Sequence, residues 1–316
     1  MAMVAKDWEM DVDGETPRLD ASTIPLRGEL REHEPLARHT SWRVGGPARR
    51  YYRPADAADL AVFLARLDPD EPLLWLGLGS NVLIDDAGFH GTVIHTQAAL
   101  NRLERRGASG LFVEAGIACA KVARFAARQD LVGCEFLAGI PGTMGGALAM
   151  NAGAWGGETW TRVAEVRTID RLGRVRVRRP GDYSVGYREV TGPPGEWFLD
   201  VLLELDPGDG RASLARIKTL LERRAATQPI GLPSCGSVFR NPPGDHAARL
   251  IESLGLKGER IGGAQVSEKH ANFIINTGAA TAAEIGALIE RVRRRVEDAT
   301  GVRLLTEVKR IPGDHA

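Results

Sequence analysis

Cysteine is scarce: the 316 residues include 3, Cys119, Cys134 and Cys235. An odd count without CxxC spacing excludes a disulfide framework and leaves reduced thiols of a cytoplasmic protein as the expectation. No cluster has metal-ligand spacing, so no metal is expected in the chemistry. Net charge is also missing, since Lys+Arg and Asp+Glu both number 41. A general nucleic-acid binder carries a basic excess, so that class is set aside. The arginines of the last helix (Arg291, Arg293, Arg294, Arg295) read as a solvated face offset by Glu284, Glu290, Glu297 and Asp298. Long apolar runs are lacking too. Residues 136–155 carry no charge and contain a Gly142-xxx-Gly146 spacing. They also contain Pro141, Asn151 and few large aliphatics, so the stretch is weakly hydrophobic, a poor helix former and not expected to cross a bilayer. The N-terminus is acidic with no apolar core, so a secretory leader is excluded and a tail over 1–24 is expected, with a shorter one at 313–316.

What is abundant is glycine, 37 residues, set among short strands and amphipathic helices. Length suggests more than one domain. A first segment, 25–98, holds a strand after Gly45-Gly46, a helix over DLAVFLARL capped by Asp56, and three short strands in PLLWLGLG, NVLI and GTVIHT. A second, 99–225, holds the strand LFVEAG and the helix CAKVARFAARQDL, with apolar positions Val122, Phe125 and Ala126. A hairpin turning at Arg171-Leu-Gly173, the strand WFLDVLLEL and a helix over SLARIKTLLERRAATQ complete it. A third, 226–312, follows the linker QPIGLPS. It holds the helix DHAARLIESLGLKG and the strand ANFIIN. Then comes a helix opened by the capping box Thr281-x-x-Glu284, with Ile285, Leu288, Ile289, Val292 and Val296 at the 3.6 period, and VRLLTEVKRI as a closing strand. The class is α+β.

Two glycine clusters carry the functional signal. Gly77-Leu-Gly79-Ser-Asn-Val82 begins like a dinucleotide fingerprint. Val82 stands where a third glycine belongs, and no helix follows, so a Rossmann site is excluded. What survives is a strand–turn–strand whose backbone N–H groups can approach a pyrophosphate, or a plain turn. The second cluster, Gly139-Ile-Pro-Gly142-Thr-Met-Gly145-Gly146-Ala147 running on to Asn151-Ala-Gly-Ala154, leaves too few side chains to fill a core. A flat cofactor would fill the space; a tight backbone crossing is the alternative. No Gly-Lys-Ser/Thr follows, so it is not a P-loop.

These clusters fall in an ordered series: Thr40-Ser-Trp-Arg-Val-Gly-Gly46, Gly77-Leu-Gly-Ser-Asn81, Ala138-Gly-Ile-Pro-Gly-Thr-Met-Gly-Gly-Ala147, Tyr187-Arg188, Cys235-Gly-Ser-Val-Phe-Arg-Asn-Pro242 and Thr306-Glu307-Val308. Over roughly residues 26–312 the chain resembles the UDP-N-acetylenolpyruvoylglucosamine reductase family, in its compact variety without the extra substrate-domain loop. One departure is Arg240, where many relatives carry lysine. The resemblance implies an α+β fold with a two-part FAD-binding domain of the vanillyl-alcohol-oxidase-like type (25–98 and 99–225) and a C-terminal α+β substrate-binding domain (226–312). It implies that Arg43, Val44, Gly45, Gly46, Gly77, Leu78, Gly79, Ser80 and Asn81 line FAD, with Ile140, Pro141, Gly142, Thr143, Gly145, Gly146, Ala147, Asn151, Ala152 and Gly153. FAD is expected to be non-covalent, because His90, the nearby candidate for attachment, reads as a surface turn residue.

The implied reaction uses NADPH to reduce the enolpyruvyl ether of UDP-N-acetylglucosamine to UDP-N-acetylmuramate, in peptidoglycan precursor synthesis. It is expected of a cytoplasmic monomer that binds neither membrane nor nucleic acid. Negative charge builds beside the substrate carboxylate and must be stabilised, and a carbon must then be protonated. By the motif Arg188 grips the carboxylate, although beside Glu189 it also reads as a surface arginine. Glu307 is catalytic if buried, where its pKa rises and it can share a proton; otherwise it lies on an exposed face. Ser237 is the implied proton donor to the carbanion. Tyr187, Asn241, Lys257 and His270 are the implied substrate contacts, His270 alone reading equally as a surface histidine. Cys235 lacks a paired histidine motif and reads as a bystander. The alternatives are an FAD oxidase of a small alcohol or sugar on the same scaffold, and a nucleotide-binding module without catalysis.

Overall fold

A computed structural model describes residues 23–313. The expected tails, 1–24 and 313–316, lie outside the described residues except for Thr23, Ile24 and Gly313. The first part comprises β1 (Glu29–Pro35), β2 (Pro47–Arg53), α1 (Ala57–Arg66), β3 (Leu73–Leu76), β4 (Val82–Ile84) and β5 (Phe89–His95). Its sheet runs β1-β2-β5-β3, antiparallel between β1 and β2 and parallel elsewhere. Asp56 caps α1 by accepting from the Asp59 N–H, and the helix buries Leu60, Phe63 and Leu64. Phe63 stacks on Tyr52 at 3.7 Å.

The second part holds β6 (Leu103–Arg106), β7 (Gly110–Glu114), α2 (Cys119–Arg128), α3 (Met144–Ala149), β8 (Val163–Asp170), β9 (Val175–Arg178), β10 (Ser184–Gly186), β11 (Glu189–Thr191), β12 (Glu196–Glu204) and α4 (Gly210–Thr227). The sheet β9-β8-β12-β7-β6 is antiparallel throughout. Helices α2 and α4 cover it, closing a core around Leu111, Val122, Ala126, Val201 and Ile217. Among the described residues, hairpin β10–β11 pairs only with itself.

The third part holds α5 (Ala247–Ser253), β13 (Ala264–Val266), β14 (Ile274–Asn276), α6 (Ala282–Thr300) and β15 (Lys309–Ile311). The apolar face of α6 is buried at every expected position. Each such side chain contributes roughly 1.5–3 kcal/mol of hydrophobic stabilisation. The capping box forms as read, and Gly301 ends the helix at φ 71°. Asp86, from the first part, adds a second cap, accepting from the Ala282 and Ala283 N–H groups at 2.8 and 2.9 Å.

Three sequence expectations need correction. The closing strand shrinks to β15: upstream of it Thr306 makes one bridge to Phe239, and Leu305 stands 62% exposed. His90 lies exposed within β5 and not in a turn. The glycine-rich run contains α3, whose first two N–H groups bond outside the helix, to the Ile117 and Ala115 carbonyls. Packing against a neighbour thus fixes a short helix that propensity does not favour.

The parts are sewn together. β15 pairs in parallel with β4. Trp42, fully buried, donates its indole N–H to the Ile274 carbonyl at 2.7 Å, and Asn276 donates back to the Trp42 carbonyl at 2.9 Å. Residues of the 40–46 motif therefore belong to the core of the third part.

Candidate active site

The two glycine clusters meet. A Cβ on Gly77 would lie 2.2 Å from Thr143 Oγ1, and one on Gly142 would rest 3.6 Å from Ser80 Oγ. Gly79 holds φ 62° with space for a Cβ blocked by the His39 carbonyl at 2.1 Å, so only glycine serves. Ser41 binds the Gly79 carbonyl through both its N–H (3.0 Å) and its hydroxyl (3.3 Å). Below the loop, His95 Nε2 lies 3.0 Å from the Gly77 carbonyl and Nδ1 lies 2.6 Å from the Tyr51 hydroxyl. A carbonyl only accepts, so Nε2 carries the proton and Nδ1 accepts from Tyr51. Burial, reinforced by neighbouring His39, pushes His95 down to about 4, which keeps it in this neutral form.

A cavity of about 290 Å³ opens beside the clusters. Gly77, Thr143, Gly145 and Gly146 form one wall, and Trp75, Tyr183, Trp197 and Phe198 another. Trp75 and Trp197 stack at 5.2 Å. The Trp75 indole N–H and the Tyr183 hydroxyl are buried without a partner. A cleft walled by glycine backbone and aromatic rings, with spare donors at its edge, fits a flat phosphate-bearing cofactor such as FAD. A second groove, about 520 Å³ between α2 and α4, holds none of the candidate residues.

Arg43 is exposed at φ 59°. Val44 is buried, and Gly46 leaves no room for a Cβ against the Asp86 carbonyl. Asn151, buried at φ 40°, donates to Glu158 at 3.0 Å and to the Gly186 carbonyl at 3.1 Å. It thereby ties the cluster to hairpin β10–β11. Asn81 reaches the other way, donating to the Glu307 carbonyl at 3.2 Å.

At that end Arg188 and Glu307, 119 positions apart, form an ion pair at 3.1 Å, each side chain 18% exposed. Arg188 also donates to the carbonyls of Gly153 at 2.8 Å and Asn151 at 3.4 Å. Burial raises the Glu307 carboxyl above its usual range, against the pull of Arg188 and then Arg240. The Glu307 N–H bonds the Val238 carbonyl at 2.8 Å, so the chain next to Ser237 is fastened to the Glu307 segment. Ser237 itself is half-buried. Cys235 is buried and pushed up to about 12 by its burial, so it is inert as a nucleophile.

The implied substrate contacts scatter. Tyr187 is 47% exposed, its ring 5.0 Å from the Arg188 guanidinium carbon. Asn241 accepts from the Ala247 N–H at the start of α5. Lys257 pairs with Glu252 at 2.5 Å. His270, its pKa lowered by burial and then by the Lys257 charge, sits edge-on to Phe273. No hydrogen bond among the described residues links Asn241, Lys257 or His270 to Arg188 or Glu307. Sequence reasoning missed the wall of Trp75, Tyr183, Trp197 and Phe198, and the support from Tyr51 and His95. A tryptophan two residues before Gly77 was the available signal. The support has none, because its members are 44 positions apart.

Comparison with known proteins gives concordant matches. Residues 228–311 match the family described as "UDP-N-acetylenolpyruvoylglucosamine reductase, C-terminal domain", and residues 48–178 match "FAD binding domain". The chain is 63% identical to the UDP-N-acetylenolpyruvoylglucosamine reductase of Alkalilimnicola ehrlichii, across 89% of this chain and 94% of that one. Against the enzyme of the same name from Methylococcus capsulatus the identity is also 63%, across 91% and 95%. Among solved structures, the UDP-N-acetylenolpyruvylglucosamine reductase of Thermus caldophilus superposes with a TM-score of 0.77 at 34% identity, across 90% of this chain and 99% of that one.

Proposed function

Because the chain belongs to the UDP-N-acetylenolpyruvoylglucosamine reductase family, we propose that Arg188, Glu307 and Ser237 carry out its reaction. The protein is an FAD-dependent oxidoreductase that uses NADPH to reduce the enolpyruvyl ether of UDP-N-acetylglucosamine, a step in peptidoglycan precursor synthesis. Bound FAD supplies hydride drawn from NADPH. FAD is held without a covalent bond by Arg43–Gly46, Gly77–Asn81, Ile140–Thr143, Gly145–Ala147 and Asn151–Gly153. The two parts 25–98 and 99–225 form its domain, and 226–312 the substrate domain.

Arg188 grips the substrate carboxylate, where charge develops as the terminal vinyl carbon is reduced. Glu307, its carboxyl held above the usual range by burial, shares a proton with the enolate oxygen. Ser237 protonates the remaining carbon; a hydroxyl is a weak acid, and a carbanion is a strong enough base to take its proton. Asn241, Lys257 and His270 hold the diphosphate, and Tyr187 shapes the mouth of the pocket. The protein works as a cytoplasmic monomer apart from membrane and nucleic acid. Its balanced charge favours that reading. No helix among the described residues is long and apolar enough to cross a membrane.

The observation that carries the assignment of roles is the Arg188–Glu307 pair, set beside the glycine cradle by Asn81. The test is an anaerobic titration of the purified holoenzyme. NADPH should bleach the flavin bands, and the enolpyruvyl nucleotide should restore them. Bands restored only by oxygen would move the activity to an oxidase.

A further inference from the structure

Arg240 is the cation of this site to which no task has been given. Its main chain is fixed to the Glu307 side: its N–H donates to the Leu305 carbonyl at 2.9 Å, and Phe239 bridges Thr306. Its guanidinium crosses to hairpin β10–β11. Nη2 donates to the Arg188 carbonyl at 3.3 Å, Nη1 approaches Glu189 at 3.5 Å, and Nε is buried without a partner. Glu189 is 66% exposed, so that ion pair alone contributes little. The bond to the Arg188 carbonyl matters more. Arg188 sits at φ 58°, a left-handed conformation that a residue with a Cβ resists unless its surroundings impose it. The strands of the hairpin are exposed except at Val190 and pair with no other strand among the described residues. Beyond Arg188's own bonds, Asn151 holds Gly186 from one side and Arg240 holds the tip from the other.

We infer that Arg240 is a positioning residue. It clamps the hairpin tip onto the substrate domain, fixes the strained backbone of Arg188, and so aims that guanidinium at Glu307 and the substrate carboxylate. This rests on the catalytic role assigned to Arg188 above. A clamp of this kind needs a cationic donor that reaches a carbonyl. Lysine can supply that with a single ammonium, and methionine cannot.

The test compares wild type, Arg240→Met, Arg240→Lys and Glu189→Gln as FAD-loaded proteins. Three quantities are read: flavin bleaching by NADPH, flavin recovery with the enolpyruvyl nucleotide, and amide hydrogen exchange over residues 184–191. In Arg240→Met, bleaching should keep its rate and recovery should slow on the order of 10- to 100-fold, the effect of losing one charge-assisted hydrogen bond. Exchange in the hairpin should rise while that of β8 stays put. Arg240→Lys should regain most of the recovery rate, and Glu189→Gln should stay within about twofold of wild type. Unchanged recovery or unchanged hairpin exchange in Arg240→Met overturns the clamp. Equal slowing of both steps with loss of FAD does so too, since it marks a general structural role. If wild type itself does not recover with the enolpyruvyl nucleotide, the catalytic reading falls instead, and hairpin exchange alone still decides whether Arg240 holds the tip.

Discussion

The substrate domain meets the rest of the chain across two junctions of different construction. Toward the first part the contact is backbone and buried core. β15 lies in register with β4, the Trp42 indole is sunk among third-part residues, and Asp86 caps α6 from the far side. Toward the second part the contact is made by long side chains: at the hairpin tip Arg188 on Glu307 and Arg240 on Arg188 and Glu189, and away from the site Lys269 on the Ala225 carbonyl of α4. Paired backbone and buried apolar surface set a position once. Long polar side chains hold a position that a neighbouring group can shift. The glycine loop Gly77–Asn81 sits at the first junction, and the guanidinium proposed to meet the substrate sits at the second. A rigid cradle beside an adjustable reacting end is what a large cofactor and an exchanging substrate require.

Substitutions can break this contrast. Gly79→Val, which forces a Cβ onto the His39 carbonyl at a positive φ, should cost about 4 kcal/mol or more and abolish FAD retention; the protein's yellow colour and melting temperature report both. At the other junction Ser237→Ala should leave melting and NADPH bleaching unchanged. It should slow recovery with the enolpyruvyl nucleotide on the order of 10²- to 10⁴-fold, the usual worth of a positioned proton donor. Equal loss in the two steps would remove Ser237 as that donor. His95 offers a pH test of the cradle. Its native value near 4 lies below the ordinary 6.5, so the unfolded chain binds the proton first as pH falls. The stabilisation is complete above 6.5 and is lost between 6.5 and about 4, amounting to on the order of 3 kcal/mol. Denaturant melts across that window should show a steeper slope in wild type than in His95→Asn. The smallest effect is expected of Asp86→Ala, which removes a cap that α6 partly duplicates with Thr281. A loss of about 1 kcal/mol in thermal melts, with recovery kinetics intact, is the outcome that fits.

Much of the fold was legible. The amphipathic helices α1, α2, α4 and α6 appear where the pattern put them, Asp56 caps α1, and Thr281 and Glu284 form their box. β1 escaped because ELREHEP is almost wholly exposed and alternates nothing. β6, LERR, is likewise a charged edge. The closing strand was read too long because LLTEV has strand composition, yet it makes a single bridge, from Thr306 to Phe239. That placement leaves Glu307 18% exposed beside Arg188. Identities of site residues came from motifs, whereas their meeting could not. Nothing local in Gly-Tyr-Arg or Thr-Glu-Val states that the two will form an ion pair. Nor does any short window contain both His95 and the carbonyl of Gly77. Contacts of that kind are decided by topology, after the strands have found their partners.

The pairing of β4 with β15 also bears on how the molecule comes into being and how it can be cut. Among the described residues β4 has no other strand beside it, so during synthesis its edge waits for β15, made more than 220 residues later. A chain halted before residue 309 would present that edge, and the 40–46 segment with Trp42, to whatever else is nearby. The same stitch means that a shuffled gene joining this cofactor half to a foreign substrate half would inherit a bare β4, a Trp42 indole without a matching socket and an Asp86 without the helix start it caps. Recombination at residue 226 should therefore succeed only between close relatives.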